Sequence, residues 1–253
     1  MTYALTWDTT GYDFSEEVEK FEYDDGSQIS TEIVARRHGA LVTEEVTMSP
    51  KNLMLTGVIV QATAALAEAR LSLLEKQMNA GRKQLRFNSA RYISLYKKSL
   101  TAQPVDGTAL TAWRYAIAFF ADDPFWYSTS PTSTDQIADY NPEVWSHTNS
   151  GDALVFPVIS IIADQGGNVA GGITLTNSTT GLSFTFAATI LSTKSLVIDC
   201  ANHTVQNNGV TDYANSGGSW HHLEPGANSF SYAGAAATVR LAYTQRFFAP
   251  TVS

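Results

Sequence analysis

The sequence predicts a mainly β protein of two domains, with one α-helix laid against a sheet or barrel. Three observations predict it: apolar and polar residues alternate with a period of two, one segment carries a helical stripe, and the composition changes near Trp145. A chain of 253 residues, 44% of them hydrophobic, can bury two medium-sized cores. We place the domains at residues 1–145 and 146–253, with the boundary inside Asn141–Asp152, where Asn-Pro and Asn-Ser-Gly sequences favour turns.

Period-two alternation marks the strands of the first domain, because alternate side chains of a strand lie on one face of the sheet. The sets that share a face are Tyr3, Leu5 and Trp7; Ile29, Thr31, Ile33 and Ala35; and Trp113, Tyr115, Ile117 and Phe119, opposite Arg114, Ala116, Ala118 and Phe120. The last of these strands is apolar on almost both faces, so we expect it at the centre of its sheet. Residues 53–60 and 92–96 are further candidate strands.

A single helix is predicted near residues 62–80, a segment rich in strong helix formers. Ala67, Leu71, Leu74 and Met78 follow one another at spacings of four, three and four residues, which places them on one face. The sequence Asn-Ala-Gly at 79–81 ends the helix, since glycine suits the left-handed conformation that often follows a helix.

The second domain has no convincing helix and consists of short alternating segments separated by turns. The strand candidates are residues 158–162, 173–177 and 182–186, and the turn pairs are Gly166-Gly167, Gly171-Gly172, Thr180-Gly181, Asn208-Gly209 and Pro225-Gly226. This arrangement predicts an antiparallel sandwich or a small barrel. The paired glycines lack the order of a phosphate-binding loop and are not followed by a helix, which favours hairpin turns.

Charge is distributed unevenly along the chain. Residues 1–145 hold 13 of the 16 Lys and Arg and 19 of the 24 Asp and Glu, so the second domain is nearly uncharged. The net charge of −8 disfavours nonspecific binding to nucleic acid or anionic membranes. The N-terminus lacks the pattern of a signal peptide and no apolar run reaches ~20 residues, so we expect a soluble protein made in a cytoplasm, without membrane insertion.

The sequence offers few candidates for catalysis or metal binding. His203, His221, His222 and Glu224 form the nearest approach to a metal cluster, but adjacent residues of a strand point to opposite faces. Asp122 and Asp123 are a pair of carboxylates, and the Pro124 that follows favours a turn instead of a catalytic pair. The lone Cys200 lies in a strand and is expected to act as a small buried hydrophobe. We therefore predict no enzymatic activity, no metal and no cofactor.

Aromatic residues of the second domain are candidates for a sugar-binding platform. Tyr213, Trp220 and His221 lie close to Asn and Gly residues, and aromatic rings on a sandwich can stack against sugars. The same rings can equally belong to a core or a protein interface. A carbohydrate-binding adhesion module is therefore the alternative function to be tested.

The order of motifs across the chain resembles the distal tail proteins of long, flexible-tailed bacteriophages. The segments that carry the resemblance are Pro157-Val158-Ile159, Gly181 to Phe186, Lys194 to Asp199, Asn208-Gly209, Trp220, Pro225 to Asn228 and, in the first domain, Arg91-Tyr92-Ile93, Gly107, Trp113 and Ala121 to Tyr127. The fold that the resemblance implies is an N-terminal split β-barrel domain with one α-helix, followed by a C-terminal antiparallel β-sandwich of the jelly-roll or galectin-like kind.

The resemblance also implies a role. Such proteins form a hexameric ring at the tail tip, where they join the tail tube protein to the tail-tip hub, fibre or receptor-binding proteins. The chain is then a structural component of the virion, assembled in the cytoplasm of the host bacterium. DNA passes through the ring as cargo, and the acidic charge, −8 for each subunit, keeps the ring from retaining it.

Overall fold

The chain folds into two compact units in the computed structural model, which describes residues 5–8, 12–23, 27–32, 41–79, 81–139, 141–163 and 167–250. The first unit comprises residues 1–129 with 248–253, and the second comprises residues 130–247. Elements of the first unit are β1 Leu5–Trp7, β2 Val18–Tyr23, β3 Ser27–Glu32, β4 Leu41–Met48, β5 Lys51–Val60, α1 Ala64–Met78, β6 Lys83–Phe87, β7 Arg91–Pro104, β8 Ala112–Ala121 and β9 Trp126–Ser128.

The first unit is built on one antiparallel sheet with the strand order β1-β6-β7-β8-β5-β2, and β9 pairs with β7. The sheet curls into a half-barrel, which confirms the predicted fold class. Strand β8 lies between β7 and β5, as its two apolar faces predict. Its inner side chains Tyr115, Ile117 and Phe119 are buried in the core. Strands β3 and β4 pair with each other in a separate ribbon.

Helix α1 begins and ends at recognisable caps. The Oγ1 of Thr63 accepts a hydrogen bond from the backbone N–H of Leu66 at 3.3 Å, an N-cap that satisfies one unpaired donor of the first turn. Gly81, just after the helix, has a φ of +82°, which favours glycine. Ala67, Leu74 and Met78 of the predicted stripe are buried, and the helix packs against β5 and β8.

The second unit contains two facing antiparallel sheets, which confirms the predicted sandwich. Its strands are β10 Thr132–Ala138, β11 Glu143–Asn149, β12 Val158–Ile162, β13 Ile173–Asn177, β14 Leu182–Phe186, β15 Ser195–Asp199, β16 Thr204–Asn207, β17 Val210–Thr211, β18 Ser216–Gly218, β19 Gly226–Ala233, β20 Ala237–Tyr243 and β21 Arg246–Phe247. One sheet has the order β10-β20-β12-β15-β16-β17 and the other β11-β19-β13-β14-β18. Inward side chains from both sheets, such as Ile159, Leu175 and Phe230, form one core.

The division between the units differs from the division at 145/146 that composition predicts. Strand β10 precedes Trp145 and strand β11 contains it. Both nevertheless belong to the sandwich, because β10 pairs with β20 and β11 pairs with β19. The sequence signal was the change in charge density, whereas the division follows strand pairing. The chain also returns to the first unit at its end, from Phe248 onward.

Some sequence predictions fall on residues outside those ranges. Tyr3, Ile33, Ala35, Ala80 and Gly166 are among them, whereas Leu5 and Trp7 lie in the core as the alternation predicts. Within the described parts of the chain, no helix combines the length and the apolar character that crossing a membrane requires.

Candidate functional site

One buried asparagine holds the Pro-Gly-x-Asn turn of the second unit together. Asn228 has no exposed surface, and its Oδ1 accepts a hydrogen bond from the backbone N–H of Glu224 at 3.0 Å. Its Nδ2 donates to the carbonyl oxygens of Glu224 at 2.8 Å and Gly226 at 3.1 Å. Gly226 has a φ of +87°, the left-handed region that favours glycine. These contacts give a physical reason for the order of residues in this motif.

Two further buried asparagines hold the same end of the sandwich. Asn177 donates from Nδ2 to the carbonyl of His222 at 3.0 Å and accepts at Oδ1 from the N–H of Thr179 at 3.1 Å. Asn149 donates to the carbonyl of Ala153 at 3.1 Å and accepts from the N–H of Gly151 at 3.0 Å. Buried backbone groups of irregular segments need such partners, because water cannot reach them. The loops at this end therefore have fixed conformations.

The structure connects two of the three residues predicted for a sugar platform, Tyr213 and Trp220, through His203. Tyr213 is half exposed, and its hydroxyl donates to the carbonyl oxygen of His203 at 3.2 Å. The His203 ring stacks on Trp220 with centroids 5.1 Å apart and an angle of 20°, and Trp220 also packs against Phe184. The result is a cluster in which the His203 ring covers one face of Trp220 and the His203 backbone carbonyl binds the Tyr213 hydroxyl.

His221 does not belong to this exposed cluster, which corrects the sequence interpretation. Its side chain lies in the core of the sandwich, whereas the Trp220 ring packs against the edge of that core and is partly exposed. His221 is fully buried, packs edge-on against Phe230, and has no hydrogen-bond partner for either ring nitrogen among the described residues. Burial lowers the pKa of His221 to about 4, so the ring is neutral at pH 7.

The remaining histidine and cysteine candidates are placed apart. The His222 Nε2 lies 3.0 Å from a carboxylate oxygen of Glu224 at the surface, on the side opposite to His221. Cys200 is buried, and burial raises the pKa of its thiol to about 12. Across the residues that the structure describes, no three His, Cys, Asp or Glu side chains come together as metal ligands would.

Asp122 and Asp123 form the turn that Pro124 predicts. The Asp122 Oδ1 accepts hydrogen bonds from Arg82 at 2.9 Å and from the N–H of Asp123. The Asp123 carboxylate accepts bonds from the N–H of Phe125 and the hydroxyl of Tyr127. Both carboxylates therefore hold the chain between β8 and β9.

The first unit contains a charged network that sequence patterns did not reveal. The Glu17 carboxylate accepts hydrogen bonds from the Tyr12 hydroxyl at 2.6 Å and from the Arg70 Nε at 2.8 Å, and the Arg70 guanidinium lies 3.9 Å from the Tyr12 ring. Arg70 also donates to the carbonyl of Asp13 at 2.8 Å, which ties helix α1 to the segment before β2. Burial and the neighbouring Glu17 raise the pKa of Tyr12.

A fully buried lysine fixes the returning end of the chain in the same unit. The Lys51 Nζ donates to the carbonyl of Phe248 at 2.6 Å, and Arg91 donates to the carbonyl of Ala249 at 2.5 Å. No periodicity in the sequence marks these pairs, because the partners are separated by 197 and 158 residues.

Comparison with known proteins first identifies the class of the second unit. Residues 150–247 match the family model described as "Siphovirus-type tail component, C-terminal domain". The matched range lies within the sandwich and includes the Pro225–Asn228 turn. None of the curated protein sequences compared with the chain matches it.

The whole chain has the fold of a particular tail protein, the Dit protein (gp 19.1) of phage SPP1. The two share 15% sequence identity with a TM-score of 0.70, and the similarity covers 96% of this chain and 99% of that one. The predicted resemblance to distal tail proteins of siphoviruses is therefore confirmed, by the family-model match over residues 150–247 and by the similar fold.

Proposed function

We propose that this chain is a structural component of a siphovirus tail tip, where six copies form a ring that joins the tail tube to the adsorption machinery. The observation that carries the proposal is the shared fold over 96% of the chain with SPP1 Dit, whose structure is described as "a Paradigm of Hub Adsorption Apparatus in Gram-positive Infecting Phages". The tail-component domain at 150–247 supports it independently.

The two units suit two parts of this role. The charge-rich first unit supplies mixed acidic and basic surfaces for contacts between neighbouring copies in the ring, and the second unit presents a Ser-, Thr- and Asn-rich surface to other tail proteins. Six copies at −8 each carry a formal charge of about −48, which repels DNA and allows it to pass as cargo. The protein acts at the virion tail tip after assembly in the host cytoplasm.

The proposed role is non-enzymatic. Asp122 and Asp123, the carboxylate pair that the sequence offers for hydrolysis, are engaged in the turn after β8. Incubation with purified host cell walls should release no soluble sugar or peptide above the level of a buffer control. Release that disappears on Asp122→Asn or Asp123→Asn would contradict the non-enzymatic role.

The ring is tested by native mass spectrometry of the purified chain at increasing concentration, with electron microscopy of assembled particles. We expect a six-subunit species in solution or a six-fold ring at the tail tip. A chain that stays monomeric at high concentration and is absent from every particle would overturn the proposal.

Carbohydrate binding is the second candidate function, and the exposed Tyr213 beside the His203–Trp220 stack is the observation that favours it. A glycan array of host cell-wall sugars should show binding that Tyr213→Ala abolishes. The matched control is Val210→Ala, because Val210 is also exposed and lies on the neighbouring strand. Absence of any glycan bound by the unmodified chain, or binding unaffected by Tyr213→Ala, would remove this candidate.

A further inference from the structure

The sheet of the first unit leaves two strand edges without a partner among the described residues. Strand β2, at one end of the strand order, pairs only with β5. Strand β7 pairs with β6 only as far as Leu95, so residues 99–104 pair with β8 on one side and with no described strand on the other. The edge of β1 differs, because its backbone bonds to residues 12–14. An unpaired edge is a template for pairing with another strand.

The two open edges lie at the same level of the sheet. The register places four residues in one row, one from each of β2, β5, β8 and β7: Phe21, Leu55, Ile117 and Leu100. None of residues 18–23 or 99–104 is buried, whereas β5 and β8 between them bury alternate side chains for most of their length. The core of one copy therefore leaves both edge strands partly uncovered.

The strand directions allow one copy to continue the sheet of the next. Strands β2, β5, β8 and the second half of β7 are successive antiparallel neighbours, so β2 and β7 run in opposite directions. Rotation about a ring axis that runs roughly along the strands keeps each strand direction. The β2 edge of one copy then meets the β7 edge of the next in antiparallel orientation, with the two faces of the sheet continuous.

The side chains of both edges match the two faces of the sheet, because directly opposed residues of neighbouring strands point to the same face. On the core side both edges carry mostly apolar residues, which are Val18, Phe21 and Tyr23 of β2 and Leu100, Ala102 and Pro104 of β7. On the outer side both carry polar residues, which are Lys20 and Glu22 of β2 and Ser99, Thr101 and Gln103 of β7. Pairing of the two edges would therefore extend the apolar and the polar face alike.

The two edges also differ in the sign of their charge. Residues 16–23, which include β2, contain four glutamates and one lysine. Strand β7 contains Arg91, Lys97 and Lys98 and no Asp or Glu. Lys98 is exposed and forms no ion pair with another described residue. Opposite charges on neighbouring strands are stabilising and like charges are destabilising, which favours β2 beside β7 over either edge beside its own copy.

We propose that the edge of β2 in one copy pairs with residues 99–104 of β7 in a second copy, which forms a continuous antiparallel sheet around the ring. This inference rests on the proposed ring and names the strands that close it. The contact is head to tail, since each copy offers β2 to one neighbour and β7 to the other. Open edges remain at both ends of a row of copies until the row closes. A two-fold pair through β2 would leave both β7 edges open.

The first test reverses one charge at the β7 edge. Lys98→Glu should weaken self-association about 5- to 10-fold in analytical ultracentrifugation at low salt, and molar salt should reduce the difference. Far-UV circular dichroism should be unchanged, because the side chain is exposed. The matched control is Lys194→Glu, an exposed lysine of the second unit, which should leave association intact. Equal effects of the two variants would overturn the pairing.

The second test is disulfide cross-linking between the two edges. Double variants combine Glu22→Cys with Ser99→Cys, Thr101→Cys or Gln103→Cys. Within one copy these positions lie three strand spacings apart, ~14 Å along the sheet at ~4.8 Å each, too far for a disulfide. A bond between them therefore joins two copies, and the native Cys200 is buried. Mild oxidation should convert at least one double variant into a ladder of multimers on a non-reducing gel.

Three controls define the outcome. Ser133→Cys with Thr211→Cys places thiols on exposed positions of β10 and β17, the end strands of a sandwich sheet, and should give no ladder. An equal ladder from that pair, or efficient dimers from Glu22→Cys alone, would overturn the pairing. Native mass spectrometry of the unmodified chain separates the two proposals. A ring without a ladder in any double variant overturns the edge pairing and leaves the proposed function, whereas a chain that never associates overturns both.

Discussion

In the first unit, charged side chains fix two segments outside the sheet, whereas at one end of the second unit neutral amides fix the loops. Glu17 and Arg70 tie the segment before β2 to helix α1, and the buried Lys51 binds the carbonyl of Phe248. In the sandwich, the uncharged side chains of Asn177 and Asn228 hold loop segments by hydrogen bonds to backbone carbonyl groups. The uneven charge count of the sequence thus continues into the interior of each unit.

This difference has physical consequences. A partly buried ion pair must offset the cost of removing its charges from water, and its net contribution depends on salt. A buried amide that satisfies three backbone groups carries no such dependence, but its loss leaves those groups unpaired. Substitutions in the sandwich turn should therefore cost more stability than substitutions in the charged network, and only the latter should respond to salt.

The largest effect is expected for Asn228→Ala. The change leaves the N–H of Glu224 and two carbonyl oxygens without their partner, and at about 1 kcal/mol for each bond we expect about 3 kcal/mol of lost unfolding free energy. Denaturant unfolding measures it. Asn215→Ala is the control, because Asn215 is exposed and its amide bonds only to Asp212; it should change stability little. Equal effects of the two variants would contradict a structural role for the Asn228 amide.

The second effect is a loss of sandwich stability at mildly acidic pH. Burial holds the pKa of His221 at about 4 in the folded chain, against an ordinary value of 6.5. The unfolded state therefore binds the proton first, and stability that is present above pH 6.5 falls as the pH drops towards 4. From pH 7 to pH 5 we expect a loss of about 2 kcal/mol. Burial lowers the pKa of His147 as well, in the same direction.

Hydrogen exchange on the full chain compares the units in that experiment. Peptides of β13 and β19, which pack around His221, should lose protection between pH 7 and pH 5 after correction for intrinsic rates. Peptides of β5 and β8 should not, because the described part of the first unit holds no histidine. The variant His221→Leu should remove most of the dependence. A sandwich equally protected at both pH values would show that His221 does not control it.

A smaller effect is expected for Glu17→Gln in the first unit. The substitution removes the negative charge, while the new amide oxygen still accepts one hydrogen bond, from Tyr12 or from Arg70. Because the Arg70 side chain is 29% exposed, we expect the free energy of unfolding to fall by about 1–2 kcal/mol. Raising the salt from low to molar concentration should shrink the difference between this variant and the unmodified chain. The Asn228→Ala difference should stay constant in the same series. If the effects of Glu17→Gln and Asn228→Ala depended equally on salt, the predicted difference in salt response between the two units would be contradicted.

Much of the fold could be predicted from the sequence, because strands and helices leave periodic patterns. The alternation in β8, β12 and β13 and the stripe of α1 each correspond to elements of the structure. The division at 129/130 could not be predicted, since β10 and β11 resemble neighbouring strands and only long-range pairing assigns them to the sandwich. Pairing between residues separated by about a hundred positions leaves no local signal.

The candidate site could be predicted only in part. Tyr213 and Trp220 both contact His203, which the sequence assigned to a different group because its ring reaches Trp220 only through the fold. His221 was misplaced because a sequence of adjacent polar aromatics does not show which ring faces the core. The Pro225–Asn228 motif was recognised as a turn, while the three bonds of its asparagine needed coordinates.

The smallest effect, for Gly226→Ala, separates the backbone of this turn from its amide. Gly226 has a φ of +87°, and a methyl group there would meet no atom within 4 Å, so the cost is conformational and about 1 kcal/mol. Gly167→Ala is the matched control, since its site is equally open and its φ is not positive; it should be neutral or slightly stabilising. If Gly226→Ala costs as much as Asn228→Ala in denaturant unfolding, the turn is held by its backbone conformation, and the amide chemistry that distinguishes the two units is not what stabilises the sandwich.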